Sequence, residues 1–225
     1  MRSVTQASIF CGKERIADDV VGGLLSTNYP NLRNLWVVNG PKQLAEYTTV
    51  RPLPDTIYLG QPVFPKKQSF APLLAERIKR KQAILLAWKA ILPMLIDGDT
   101  DVWFVEDDVK VLPDTLTKLQ ELVGETGAGL ISATTLSFGK VPAFRLSCNV
   151  ATQIESPLPT STEIDFVGMY CCYFPQSTIR LLREYTPQLE VPGHYMLGKD
   201  MHLCYWLKAM GLKIVLAPHF VKMLQ

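Results

Sequence analysis

Two spacings of apolar residues alternate along the chain. Residues 3–10 read as a strand, and over 14–25 the positions Ile16, Val20, Val21, Leu24 and Leu25 recur at helical spacing. Asn28, Pro30 and Asn31 end that helix. Residues 35–38 form a short apolar strand closed by Asn39-Gly40-Pro41, and 55–59 supply a third. A longer helix is predicted over 72–92, with Ile84, Ala87, Trp88, Ile91 and Leu95 on its core face and Pro93 ending or kinking it. Further on, the pattern gives a strand at 102–105, a helix at 114–122 and a strand at 129–133. It continues with β-like stretches at 143–154 and 164–174 and a helix at 177–185. A last helix over 199–210 is closed by Gly211, and a strand over 213–217 ends at Pro218. Strand and helix in alternation over short connections predict an α/β fold, a mostly parallel central sheet with helices on both faces. Residues 50–72, with Pro52, Pro54, Pro62, Pro65 and Pro72, read as a long surface connection, a length that usually serves function.

Composition narrows this picture. A chain of 225 residues, 48% hydrophobic and 20% charged with net charge +2, fits one compact domain or at most two small ones. It excludes a disordered chain, a collagen-like repeat and a disulfide-stapled miniprotein. The most apolar stretch, 83–96, is interrupted by Lys89 and Pro93 and falls short of the roughly 20 residues a membrane span needs. The opening MRSVTQASIFCGKER holds no apolar signal core of about 7 residues, so the expectation is a cytoplasmic protein without a span. Cys11, Cys148, Cys171, Cys172 and Cys204 form no C-x-x-C pair, which speaks against a zinc ribbon and for buried free thiols.

Candidate chemistry is concentrated in VWFVEDDVKVLPDTL, residues 102–116. The apolar run from Val102 to Val105 suits a buried strand, and three carboxylates follow at once: Glu106, Asp107 and Asp108. In open α/β sheets ligands bind at the carboxyl ends of strands. Adjacent acids repel, and a cation relieves that cost. Alternation along an extended chain puts Glu106 and Asp108 on one side and Asp107 on the other. Hard oxygen ligands point to Mg2+ or Mn2+. The plain alternative is a solvated turn after an edge strand.

Apolar strand, acidic triplet and a proline-led helix together resemble the metal-binding strand of GT-A-type glycosyltransferases, and the spelling EDDV also resembles the family 25 lipooligosaccharide enzymes. The stretch GHYMLGKDMHLCYWLKAMGLKIVLAP, residues 193–218, is similar to a family 2 pattern. Lys199-Asp200 stands at that pattern's acidic pair, with Lys199 in the place of an acid, and Leu203, Gly211, Ile214 and Pro218 fit the rest. Phe166-Val167-Gly168 and the helix after it resemble the segment flanking the acceptor site. The resemblance implies a single GT-A-like domain over 1–225, with about 1–108 holding the nucleotide sugar and about 109–225 the acceptor. It also implies roles. Asp108 and Glu106 hold Mn2+ or Mg2+, and His219, at a strand's carboxyl end, is the histidine best placed to join them. Asp107 contacts the ribose or a basic side chain, and Lys222 reaches the diphosphate. Asp200 reads two ways, as the base of an inverting transfer or as a plain helix cap. His194, His202, Tyr195 and Trp206 are the remaining polar and aromatic candidates.

The implied partners are a nucleotide-sugar donor and a glycan or lipid-linked glycan acceptor. The alternative is a hydroxymethylated base in DNA, which places a viral chain in the host cytoplasm. That alternative rests on the run 66–81, where Lys66, Lys67, Arg77, Lys79, Arg80 and Lys81 against Glu76 give +5 in a chain of net +2. A phosphohydrolase of the haloacid-dehalogenase type fails, because Glu106 stands where its nucleophilic Asp belongs and Lys110 where it has Thr or Val. A domain that binds nucleotide or sugar without turning it over is the non-enzymatic alternative.

Overall fold

The computed structural model describes residues 2–10, 16–39, 55–59, 73–135, 141–147, 150–154, 159–185 and 199–224, with backbone alone at 58, 73–83, 185, 199 and 220. Thirteen strands and five helices lie within them. In chain order they are β1 Val4–Phe10, α1 Ala17–Leu25, β2 Leu32–Val38, β3 Asp55–Tyr58, α2 Leu73–Asp97, β4 Asp101–Val105 and β5 Val109–Lys110. There follow α3 Thr115–Thr126, β6 Leu130–Thr134, β7 Ala143–Ser147, β8 Val150–Gln153, β9 Thr162–Ile164, β10 Phe166–Val167 and β11 Cys171–Phe174. The chain closes with α4 Gln176–Tyr185, α5 Lys199–Ala209, β12 Ile214–Phe220 and β13 Lys222–Met223.

Eight strands make the central sheet in the order β3-β2-β1-β4-β11-β6-β12-β9. β3, β2, β1 and β4 pair in parallel, as do β6 and β12, while β11 and β9 run against their neighbours. The carboxyl ends of β1, β2, β4, β6 and β12 therefore share one end of the sheet. A three-stranded sheet, β10-β7-β8, and the pair β13-β5 complete the fold.

The sheet is buried on both faces, as parallel sheets are. On one face Trp88, Ile91 and Leu95 of α2, Ile179 and Leu182 of α4, and Leu203 and Leu207 of α5 cover Ala7, Val37, Phe104 and Cys172. Trp88 stacks on Phe104 with ring centroids 4.9 Å apart. On the other face Val20, Val21 and Leu24 of α1 and Leu116 and Leu119 of α3 pack on Trp36, Trp103, Val105 and Tyr173. α2 does not stop at Pro93 but runs on to Asp97. Leu95 and Ile96, beyond the proline, are buried in the core, and their burial offsets the lost helix hydrogen bond of about 3 kcal/mol.

At the amino end of β4 a single carboxylate joins three elements. Asp101, 2% exposed, accepts the Tyr173 hydroxyl at 2.5 Å and the Gln176 amide at 2.8 Å, capping α4 from a distance, and Arg2 lies 3.8 Å away. Asp101→Ala leaves a buried hydroxyl and a helix-terminal amide without their acceptor. A loss of about 3 kcal/mol follows, read as a fall in Tm of roughly 10 °C. Ligand binding at the opposite end of the sheet should be unchanged at low temperature.

Candidate active site

β4 is a central strand, flanked by β1 and β11, so the acidic triplet does not follow an edge strand. Nor does it continue the strand. The Val109 amide donates to the Glu106 carbonyl at 3.2 Å, closing a turn over 106–109. Within the turn the three acids still divide as alternation expects: Asp107 is buried at 6% exposure, and Glu106 and Asp108 are half-buried. Turn chemistry prevails because acidic residues are poor strand formers and good turn residues.

Three elements pin the backbone of this turn. The Glu106 amide donates to the Tyr170 carbonyl at 2.8 Å, just ahead of β11. β5 pairs antiparallel with β13, setting Val109 opposite Met223 and Lys110 opposite Lys222. The Leu224 amide donates to the Asp108 carbonyl at 2.6 Å. Carboxylates held on a fixed backbone lose less freedom when they bind a cation, which favours binding.

The structure brings Lys222 next to the turn, exposed, with its neighbour Lys110 engaged by Asp19 of α1 at 2.8 Å. His219 is placed differently. Its Nε2 lies 3.0 Å from Thr115 Oγ1, at the start of α3, and that hydroxyl also accepts the Leu112 amide at 3.0 Å. Nε2 is thus committed to Thr115. Among the described residues no group of three His, Cys, Asp or Glu side chains is arranged to hold a metal, so His219 does not complete a three-residue cage with Glu106 and Asp108. Two carboxylates remain a sufficient protein share for Mg2+ or Mn2+, which commonly take the rest of their shell from substrate phosphates and water.

Burial holds the His219 pKa below its ordinary value, helped by Lys118 and opposed by Asp114. The unfolded chain then takes up this proton first, and stability falls as pH drops below about 6.5. His202, also lowered by burial, acts in the same window. Asp114, held low by the Lys118 hydrogen bond, loses its contribution only below its ordinary 3.8. Tm should therefore decline between pH 7 and 5, and His219→Gln should make that decline shallower while leaving the part due to His202.

Asp200 lies in the first turn of α5, which begins one residue earlier at Lys199, so it sits inside the helix rather than at its cap. Its charge reaches two buried thiols. Burial pushes Cys204 up to about 12, with Asp200 adding to the rise, and Cys172 is raised well above the usual range by burial, with Asp200 a lesser contributor. Cys172 pairs with Phe104 and Cys171 with Val105. The helix that carries Asp200 packs on β10 and β12. Cys171, Cys172 and Cys204 are buried and free, and thiols so raised are poor nucleophiles. Trp206 is 8% exposed and belongs to the core. His194, Tyr195, Cys11 and Cys148 lie outside the described residues, as does the basic run up to residue 72. The rest of that run falls on the opening turns of α2.

Sequence reasoning missed Tyr170 and Thr115. Tyr170 lies two residues after Gly168, where an added side chain would meet the Tyr170 ring at 2.2 Å and force it to shift. The Gly168 signal was legible in the sequence, but the partner strand was not.

No family model matches the chain, and no curated protein matches it. Solved structures do resemble it. S. aureus TarS 1-349, a glycosyltransferase of the GT-A fold, has a TM-score of 0.53 and 11% identity, over 99% of this chain and 60% of that one. At this identity the likeness shows the fold alone. The chain is an α/β protein of GT-A-like architecture, and it spans 60% of the TarS fragment's length. Among the described residues no helix is long and apolar enough to cross a membrane.

Proposed function

We propose that the protein is a metal-dependent glycosyltransferase that moves a sugar from a nucleotide-sugar donor to a hydroxyl of a glycan or lipid-linked glycan, with inversion. The observation that carries this reading is the placement of the acidic turn. It caps the central strand of a GT-A-like sheet at the end where such folds bind ligands.

The half-buried Glu106 and Asp108 supply hard oxygen donors that fit Mn2+ or Mg2+, which when bound neutralises the donor diphosphate and polarises it as a Lewis acid. Asp107, on the same turn but only 6% exposed, is assigned the basic side chain rather than the ribose. Lys222, exposed at the edge of the turn, adds positive charge for the leaving diphosphate. Asp200 accepts the proton of the attacking hydroxyl. The donor half corresponds to about 1–108 and the acceptor half to about 109–225.

Thermal unfolding in the presence of a panel of nucleotide sugars, with and without Mn2+, tests the reading. At least one nucleotide should raise Tm in a metal-dependent way. A panel with no such response rejects the donor site. DNA as acceptor is the competing outcome, recognised by transfer to a duplex that weakens steeply with salt.

A further inference from the structure

β1 runs through the middle of the sheet, buried at every residue. Alternation sets Val4, Gln6, Ser8 and Phe10 on one face. Two of these four are polar, within a cluster that is otherwise aliphatic and aromatic. Gln6, Ser8 and Trp36 are each 0% exposed. Buried polar groups in such a setting carry a cost unless fully paired, and here the pairing has only one direction.

An indole N–H can only donate, so Trp36 Nε1 fixes the Gln6 carbonyl oxygen toward itself. The Gln6 amide nitrogen must then face Ser8, where it donates to Oγ at 2.8 Å. Ser8 directs its own proton to the Val105 carbonyl at 2.6 Å. Each bond polarises the next, and the chain delivers a donor to the residue immediately before Glu106.

The backbone ladder between these two strands stops at this point. The β1–β4 ladder ends at Ala7 opposite Phe104. β1 goes on with β2 as far as Phe10 opposite Val38, while β4, paired with β11 from Val102 onward, ends at Val105 opposite Cys171. Ser8 and Val105 are the next residues in the lost register. The Ser8 hydroxyl takes over where the backbone ladder stops, so the last carbonyl of β4 stays anchored to β1.

We infer that Ser8, oriented through Gln6 and Trp36, is a positioning residue that fixes the acidic turn for the donor diphosphate and its metal. The functional part of this inference rests on the donor site proposed above. Ser8→Ala removes the donor to Val105. Ser8→Cys keeps the size and a weak S–H donor, and it carries the test if the alanine variant does not fold.

Two readouts separate the anchoring from the function. The first is amide hydrogen exchange at Glu106 and Val109, the turn's own bonds. It should quicken at least about tenfold in Ser8→Ala and less in Ser8→Cys, with the β6–β12 amides at wild-type rates. The second is the affinity for a nucleoside diphosphate with Mn2+, which should weaken by about tenfold in Ser8→Ala. Wild-type exchange at the turn overturns the inference, and so does equal acceleration across the whole sheet, because a merely structural role predicts that. Local acceleration with unaltered affinity overturns its functional half. If the wild type itself binds no nucleoside diphosphate, the donor site fails while the exchange result still decides whether Ser8 anchors the turn.

Discussion

Asp108→Ala should abolish the Mn2+-dependent stabilisation of the protein by a nucleoside diphosphate. At a ligand concentration a hundredfold above Kd, binding contributes about 2.7 kcal/mol, which in a chain of this size raises Tm by roughly 8 °C. The variant should lose that rise and keep its fold. What ties the turn to the C-terminal strand is the Asp108 carbonyl, which accepts the Leu224 amide, and alanine retains it. The other anchors, Glu106 on Tyr170 and Val109 on Glu106, do not involve the Asp108 side chain. Unchanged circular dichroism with a lost metal response therefore assigns the effect to the carboxylate. A variant that responds to metal and nucleotide as the wild type does would place the donor elsewhere.

The reach of the sequence can be judged at this same turn. Val102 to Val105 form a continuous apolar run because β4 is covered on both faces, and such a run is visible without a structure. The three acids stand out for the same reason, as charges at the end of a buried strand. Whether they extend or turn is set by β13, more than a hundred residues later, and by Tyr170 ahead of β11. Pairing between distant segments leaves no local periodicity. The same holds for β11, which enters the sheet antiparallel between β4 and β6, two strands that run the same way. The 164–174 stretch was legible as β but not where it goes.

Elsewhere local rules were outweighed. Pro93 is a helix breaker by any local rule, yet α2 continues because Leu95 and Ile96 are needed in the core. His219 sits at a strand end, as the pattern implied, but the α3 start with Thr115 reaches it first. Gln6 and Ser8 offered a signal of another kind, since polar residues on the same face as Val4 in an apolar strand call for partners. Their partners, Trp36 and Val105, are visible only once the strands are side by side.

Asp200→Asn should lower turnover by about 10²- to 10⁴-fold, the usual share of a general base, while leaving donor affinity and fold nearly unchanged. The substitution keeps size and polarity in the first turn of α5 and removes the charge. A carboxylate at a helix start stabilises by about 0.3–1 kcal/mol, and by up to about 2 kcal/mol when half-buried as Asp200 is, so a purely structural Asp200 predicts a modest fall in Tm and full activity. The two roles are thus separated by the ratio of the effects. Donor binding provides the internal control, because Asp200 belongs to the layer of α5 and the acidic turn to the end of β4. The product should carry the anomeric configuration opposite to the donor's. Retained configuration would remove the need for a base at this position, and full turnover in the asparagine variant would return Asp200 to a helix-stabilising role.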